Sequence, residues 1–489
     1  MFPPLEDVYR LAPELIWSLT GIMLMLVDPF VAKPRKRRLG GLALIGATFG
    51  LAATVFPYWH MGTAYSGLLR LDPFSIFLHL IVGSVAVLVV LGSSDYLVRE
   101  SLPPGEFYAL VLFASVGMGI LASAQELVTA FVGLEISSIA SYVLASFRRE
   151  NVRSNESALK YFLLGSFATA FFLYGVAMIY GATGTTQLAA MDWPKSSGTL
   201  LTLGLGMIFI GLGFKVAAAP FQLWTPDVYE GAPTPVTAML SSAPKAAAFA
   251  LLVRVFAMVF ASETSASVHL AWMYVFWIAA ALTMCVGNLG ALVQSSVKRM
   301  LAYSSIAHAG YILVAIAAVS SAEEAGEAVG IVAVLFYLAS YALMKLGAFV
   351  LVTYIGGTGE RRLEINDYAG LGTQRPWAAA FLSIYLLSLL GLPVTAGFLG
   401  KLYVFRAALD SNLIWLVVLM AVNSLIGAYY YLRVMVVMYM RPAQQEWPAQ
   451  PMPAGVALVL LLTATGIIYL GLFPNHVIAF ATQSATSLR

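Results

Sequence analysis

TLLTLGLGMIFIGLGFKVAAAP, residues 199–220, is an apolar run broken by one charge, Lys215, and closed by a proline, Pro220. A hydrocarbon core about 30 Å thick is crossed by about 20 helical residues rising about 1.5 Å each, so this run can span a bilayer. Its two exceptions are the informative part. An ionised side chain at the bilayer centre costs about 2.5–3.5 kcal/mol even on the lenient insertion scale, so it needs a partner, water or a proton-carrying job. Proline removes a backbone donor, and irregular backbone at membrane depth is tolerated only where protein or a hydrated cavity satisfies the freed groups. A plain kink is the bland alternative. It weakens because a second run repeats the association, with Pro393 a short distance before Lys401. A broken helix beside a titratable amine predicts a hydrated proton site.

Working outward, the whole chain has this character: 60% of its residues are hydrophobic and 10% charged, against about 25% charged in a soluble domain. Fourteen apolar runs begin near residues 11, 39, 73, 106, 126, 157, 199, 234, 269, 298, 327, 376, 411 and 453. The sequence therefore predicts an all-α, polytopic membrane protein in direct contact with the lipid bilayer, its seventh and twelfth helices broken at Pro220 and Pro393. Glu6, Asp7 and Glu14 stand where a signal peptide would be basic, so the first helix is expected to be retained. Fifteen lysines and arginines fall in the odd-numbered connections, among them Lys33, Arg99, Arg148, Lys298, Arg361 and Arg441. Only Arg10, Arg70, Lys195 and Arg489 fall in the tails and even connections. The positive-inside rule then places the odd connections in the cytoplasm and both termini in the periplasm of a bacterial inner (plasma) membrane.

The net charge of +3 is accounted for by this loop bias and gives no nucleic-acid signal. One cysteine, Cys285, cannot supply the four thiolates an iron-sulfur cluster typically needs, and no haem-attachment pattern occurs. No Gly-rich nucleotide fingerprint follows a strand. No cofactor or metal is expected on this chain, and electron chemistry, if any, belongs elsewhere. The predicted organisation is one membrane domain: an N-terminal three-helix segment (1–105), two five-helix units (106–262 and 263–442) and a C-terminal helix (443–489). Transporters often carry inverted repeats, and the Pro-interrupted fourth helix of each unit hints at one.

Five charges lie deep in the apolar runs. Glu135, in FVGLEISSIA (131–140), has small neighbours Gly133, Ser137 and Ser138 that admit another helix closely, and a buried carboxylate there wants a cation. Lys215 is the candidate partner, with a static structural ion pair as the alternative. Lys245 and Lys345 are central in the eighth and eleventh helices, Lys245 without an acidic residue in its own helix core, which suits it to lose and regain a proton. Lys401 follows the second break. Lys160 lies nearer a helix end and can snorkel. Arg254 and Arg433 are expected near the interfaces. His79 and His308 are isolated in sequence and read first as satisfied core histidines, His308 having a place on a proton path as its alternative. Two unit charges 6 Å apart at an effective dielectric near 20 interact by roughly 3 kcal/mol, about a hundredfold in proton affinity. Moving one charge across 180 mV costs roughly 4 kcal/mol. A chain of such contacts can therefore work against a membrane gradient.

Between Lys215 and Lys245 the run KVAAAPFQLWTPDVYEGAPTPVTAMLSSAPK is similar to the signature of the antiporter-like proton-channel subunits of respiratory complex I (NADH-quinone oxidoreductase), and its WTPDVYEGAP segment resembles the subunit N type, counterpart of mitochondrial subunit 2. VGLEISSIASYVL around Glu135, VKRMLAYSSIAHAGY from Val297 and GLPVTAGFLGK ending at Lys401 extend the resemblance over nearly the whole chain. The resemblance implies a fourteen-helix antiporter-like fold with two inverted five-helix repeats. It also implies Glu135 paired with Lys215, Lys245 as inner relay, Lys345 as a further relay and Lys401 towards the periplasmic exit. Many relatives carry histidine where this chain has Gln222, which does not titrate near neutral pH, so water is left to serve the inlet there. FMN, iron-sulfur clusters, NADH and quinone are implied on other subunits, and other membrane subunits are the implied partners. Two rival readings share the lysines: a subunit of an independent cation/proton antiporter, and a scaffold whose buried charges only specify helix packing.

Overall fold

The computed structural model describes residues 4–32, 35–191, 198–261, 266–319, 324–443 and 451–488. Lys33, Lys195, Arg489 and the boundary expected between residues 262 and 263 lie outside them. The chain opens with α1 Leu5–Arg10, α2 Ala12–Val27, α3 Arg38–Ala52 and α4 Val55–Trp59. A small antiparallel hairpin follows, β1 Gly62–Ala64 and β2 Leu69–Leu71, with Thr63 opposite Arg70. Then come α5 Pro73–Arg99, α6 Pro104–Ser123, α7 Leu127–Ala145, α8 Val152–Thr183 and α9 Thr199–Val216. The middle of the chain holds α10 Trp224–Gly231, α11 Thr234–Leu240, α12 Ala243–Ala261, α13 Ala266–Leu292, α14 Val297–Val319 and α15 Glu324–Gly356. The last part is α16 Leu371–Gln374, α17 Pro376–Leu390, α18 Ala396–Asp410, α19 Ile414–Met440, α20 Ala454–Leu472 and α21 Asn475–Thr486.

Among the described residues, thirteen helical spans are long and apolar enough to cross a membrane. The remaining pass is the broken pair α17 and α18. With 15 residues, α17 rises only about 22 Å and stops short of a core about 30 Å thick. The fourteen expected passes are thus present, and the protein is a multi-pass membrane protein. Beyond the last pass the chain does not simply end: α21 folds back, with Ser484 Oγ donating to Pro73 O and Arg70 donating to Ser487 O.

Local chemistry starts the helices where the passes begin. Asp72 caps α5 by accepting from Ser75 N at 2.7 Å, and Glu126 caps α7 by accepting from Val128 N and Thr129 N. Asn151 caps α8, which ends on left-handed Gly184. These caps fill backbone donors that lipid would leave unmade.

The small neighbours of Glu135 do admit another helix closely. A Cβ on Gly117 of α6 would lie 2.6 Å from Gly133 O and 2.4 Å from Ser137 N of α7, so the two backbones touch.

The odd connections gather on one face. Arg148 pairs with Glu100, Arg99 donates to Thr353 O, Lys298 pairs with Glu360, and Arg441 donates to Asn366. The opposite face carries the even connections and both chain ends, tied by Arg10 to His60 O and Thr63 O and by Arg70 to Ser487 O.

Candidate functional site

Both expected helix breaks are present. After Val216 the chain passes through left-handed Ala217 (φ 63°) and a 3-10 turn at Phe221–Leu223 before α10 begins, and Lys215 is the penultimate residue of α9. After Leu390 it passes through left-handed Gly391 (φ 93°) and resumes at Ala396, five residues before Lys401. Glycine serves two purposes there. It takes the positive φ, and it leaves room for the lysine stem, since a Cβ would stand 3.2 Å from Lys401 Cδ. A third break was not foreseen: α11 stops at Leu240 and α12 starts at Ala243, so Lys245 is the third residue of a new helix. The Ser241-Ser-Ala-Pro244 run carried that signal.

Lys215 is buried, but its partner is not the expected one. Nζ donates to Ser138 Oγ at 2.7 Å and reaches Tyr142 OH at 3.5 Å, with the Tyr142 and Tyr161 rings 5.3 and 5.5 Å away. Glu135 is not within ion-pair distance of Lys215. It lies one turn before Ser138 on the same helix, and its Oε1 is buried without a hydrogen-bond partner. The small hydroxyl one turn along reaches the amine and intervenes between the charges. A cavity of about 10 Å³ lined by Lys215, Ser137, Ser138, Ser141, Tyr161 and Pro244 adjoins them.

Lys245 and Lys345 converge on one turn of α14. Lys245 Nζ donates to Ser305 O at 2.9 Å, while Lys345 Nζ donates to Leu301 O and Ser304 Oγ, both at 2.8 Å. Ser304 Oγ hydrogen-bonds Tyr431 OH, which stands 3.2 Å from His308 Nε2, and His308 Nδ1 lies 2.7 Å from Tyr337 OH. His308 is therefore a satisfied core histidine and also the middle of a polar chain. Tyr431 and Tyr337, which the sequence reading missed, complete it. Lys401 Nζ donates to Leu390 O at 2.8 Å and sits 5.1 Å above the Tyr311 ring, whose hydroxyl accepts from Asn288. Hydrogen bonds run unbroken from Lys345 to Tyr337. Three steps, Lys215 to Lys245, Lys245 to Lys345 and Tyr337 to Lys401, are not bridged by direct hydrogen bonds.

The accessory candidates divide. Lys160 is partly exposed and bonds Glu156 and Asp227, each at 2.8 Å, and Asp227 also holds Arg299. Gln222 is buried beside the first break with Oε1 unpartnered. Arg254 lies level with helix ends, as expected, but inside the protein rather than among headgroups: it is fully buried, forked onto both oxygens of Asp72 at 3.0 and 3.1 Å, with Gln125 and Ala122 O as further acceptors. A charge that cannot snorkel found its counter-ion on a distant helix cap. Arg433 does lie at a helix end, donating to Leu292 O and Gln294 O.

Broken membrane helices with buried amines at each break define a multi-pass protein of the ion-translocating, antiporter-like class. The chain belongs to the NADH:quinone oxidoreductase/Mrp antiporter, TM family, whose model matches residues 124–427, from the cap of α7 into α19 and across all three breaks. It is 47% identical to NADH-quinone oxidoreductase subunit N 1 of Solibacter usitatus, covering 99% of this chain and 98% of that one. A chain of respiratory complex I from Thermus thermophilus superposes with TM-score 0.80 at 36% identity, over 96% of this chain and 98% of that chain. A chain of the Mrp complex of a Dietzia species shares the fold, with TM-score 0.84 at 21% identity over 99% and 97%.

Proposed function

We propose that this chain is a proton-translocating membrane-arm subunit of an NADH-quinone oxidoreductase, in which Lys215, Lys245, Lys345 and Lys401 carry the proton and Glu135 biases it. One observation carries the reading: Lys245, Lys345 and Lys401 are buried and donate to neutral oxygens, with no carboxylate in contact. A lysine hung on a carbonyl or hydroxyl keeps that hydrogen bond as ammonium or as amine, so losing a proton orphans nothing. Ser304, Tyr431, His308 and Tyr337 each can give and take a hydrogen, and they extend the path beyond Lys345. Glu135, with a free oxygen one turn from Ser138, is placed to bias Lys215 through the field rather than by contact. Motion at the break after Lys215 would lengthen or close that gap and so switch the amine's proton affinity.

In this reading the basic face is cytoplasmic, both chain ends are periplasmic, and the membrane is a bacterial inner membrane. NADH, FMN, iron-sulfur and quinone chemistry sits on other subunits, a division supported by the single cysteine of this chain. The decisive experiment places Lys215→Ala, Lys245→Ala or Glu135→Ala in the assembled complex in membranes. Quinone reduction and proton pumping are measured together, and pumping is expected to fall more than assembly. Unchanged pumping in a fully assembled Lys245→Ala complex would end the proposal. The Mrp likeness keeps an independent cation/proton antiporter as the second reading. Co-purification decides between them: flavin and iron-sulfur subunits accompany the chain in the first, while sodium-dependent proton flux without them marks the second.

A further inference from the structure

Away from the lysines, the N-terminal helices bury another pair of titratable groups. Glu14 is the third residue of α2 and His79 the seventh of α5, and they are 4% and 1% exposed. His79 Nε2 lies 2.5 Å from Glu14 Oε1, and His79 Nδ1 lies 2.6 Å from Ser75 O. A carbonyl oxygen only accepts, so Nδ1 carries a hydrogen. Two lone pairs cannot face one another at the other contact, so a second hydrogen lies between Nε2 and Oε1, on whichever atom. The pair is then neutral as a unit and holds one removable proton.

Three further features separate it from an ordinary structural ion pair. Glu14 Oε2 is buried with no hydrogen-bond partner, whereas Asp72 has both oxygens on Arg254. The close approach is built in: a Cβ on Gly119 of α6 would fall 2.4 Å from Glu14 Oε1 and 3.1 Å from His79 Nε2. The charged surroundings are also sparse. Glu14 from α2 and Asp72 at the head of α5 act on His79, α6 presents Gly119, and Arg254 of α12 is committed to Asp72. Counted at about 1.5 Å per residue from their helix starts, both groups lie within about 10 Å of the face that carries the chain ends.

We propose that Glu14 and His79 form a second proton-binding site of this chain, apart from the lysines, which releases its proton to and regains it from the face bearing the chain ends. Release leaves a carboxylate and a neutral imidazole, net charge −1, whose facing lone pairs repel and part the contact, and uptake restores the closed neutral pair.

The test is pH-difference infrared spectroscopy on membranes holding the assembled complex. Wild type should show coupled carboxyl and imidazole bands. Glu14→Gln should abolish them, because the amide donates to Nε2 but does not titrate. His79→Gln should shift the carboxyl band to the position of an isolated acid, and Gly119→Ala should shift both bands without removing either. Lys245→Ala should leave them in place, which separates this site from the fate of the lysine pathway. Superposable wild-type and Glu14→Gln spectra overturn the proposal. Should a variant not assemble, ring-labelled histidine in the wild type suffices, and a histidine signal indifferent to pH overturns it equally.

Discussion

Arg254 and Lys298 are as buried as Lys245 and Lys345, at 1% and 0% exposed against 2% and 0%, yet the two pairs are served in opposite ways. Arg254 is forked onto Asp72, and Lys298 meets Glu360 at 3.0 Å and Ala232 O at 2.8 Å. Lys245 and Lys345 meet only uncharged oxygens of α14. A buried cation with a buried counter-ion is locked, because discharging either partner strands the other. A buried amine on a carbonyl is free to change charge at no cost in hydrogen bonds. Burial alone therefore does not distinguish a structural charge from a working one, and the nature of the acceptor does.

The largest effect should come from breaking a locked pair. Lys298→Met or Arg254→Met leaves a buried carboxylate with only its longer partner, Arg148 at 4.0 Å from Glu360 or Arg70 at 3.5 Å from Asp72, at a cost of up to about 3–5 kcal/mol. Native gels should show the subunit lost from its complex, and Arg254→Met with Asp72→Asn should recover most of it. Next comes the converse substitution. Lys345→Met removes an amine without stranding a charge, so assembly should stay at wild-type levels while coupled proton transport is lost. If both substitutions damage assembly equally, the distinction between the two kinds of buried cation fails.

A smaller effect is pH-dependent. Burial pushes the Glu360 carboxyl up, but Lys298 at 3.0 Å and the Thr234 N–H at 2.8 Å outweigh it and hold the group below its ordinary value of 4.5. A depressed folded value means that the stabilisation is present above pH 4.5 and is lost as pH falls through the folded value. Acid dissociation of detergent-solubilised subunit should therefore move to higher pH in Glu360→Gln, and an unmoved midpoint would exclude Glu360 as its source. The smallest effect is expected at Ser138. Ser138→Ala removes one hydrogen bond to Lys215, about 1 kcal/mol, and should change pumping by about fivefold in rate with assembly intact.

Much of the fold was legible because lipid imposes simple rules: long apolar runs gave the passes, and Pro220 and Pro393 gave two of the breaks. The break before Lys245 was missed because Ser241, Ser242 and Pro244 fall inside an apolar run that begins near residue 234 and read as one continuous helix. That Arg254 is buried inside the protein was missed for a different reason. Its partner Asp72 lies 182 residues earlier, and no local pattern reports that contact. The same limit hid the His308 chain, whose members Ser304, Tyr337 and Tyr431 come from three helices. It hid Glu14 with His79 as well, 65 residues apart. Glu135 and Lys215 were paired by sign, and the sequence could not say that Ser138, one turn on, gets there first. Charge and depth are written locally in a membrane chain, while acceptor identity is written only in three dimensions.

The cavity beside Lys215, at about 10 Å³, has room for roughly one water molecule. A conducting wire between Lys215 and Lys245 needs several, so the helices around it must swell before a proton can hop. Turnover then takes up water. Mild osmotic stress with excluded solutes should slow transport reversibly before the assembly dissociates.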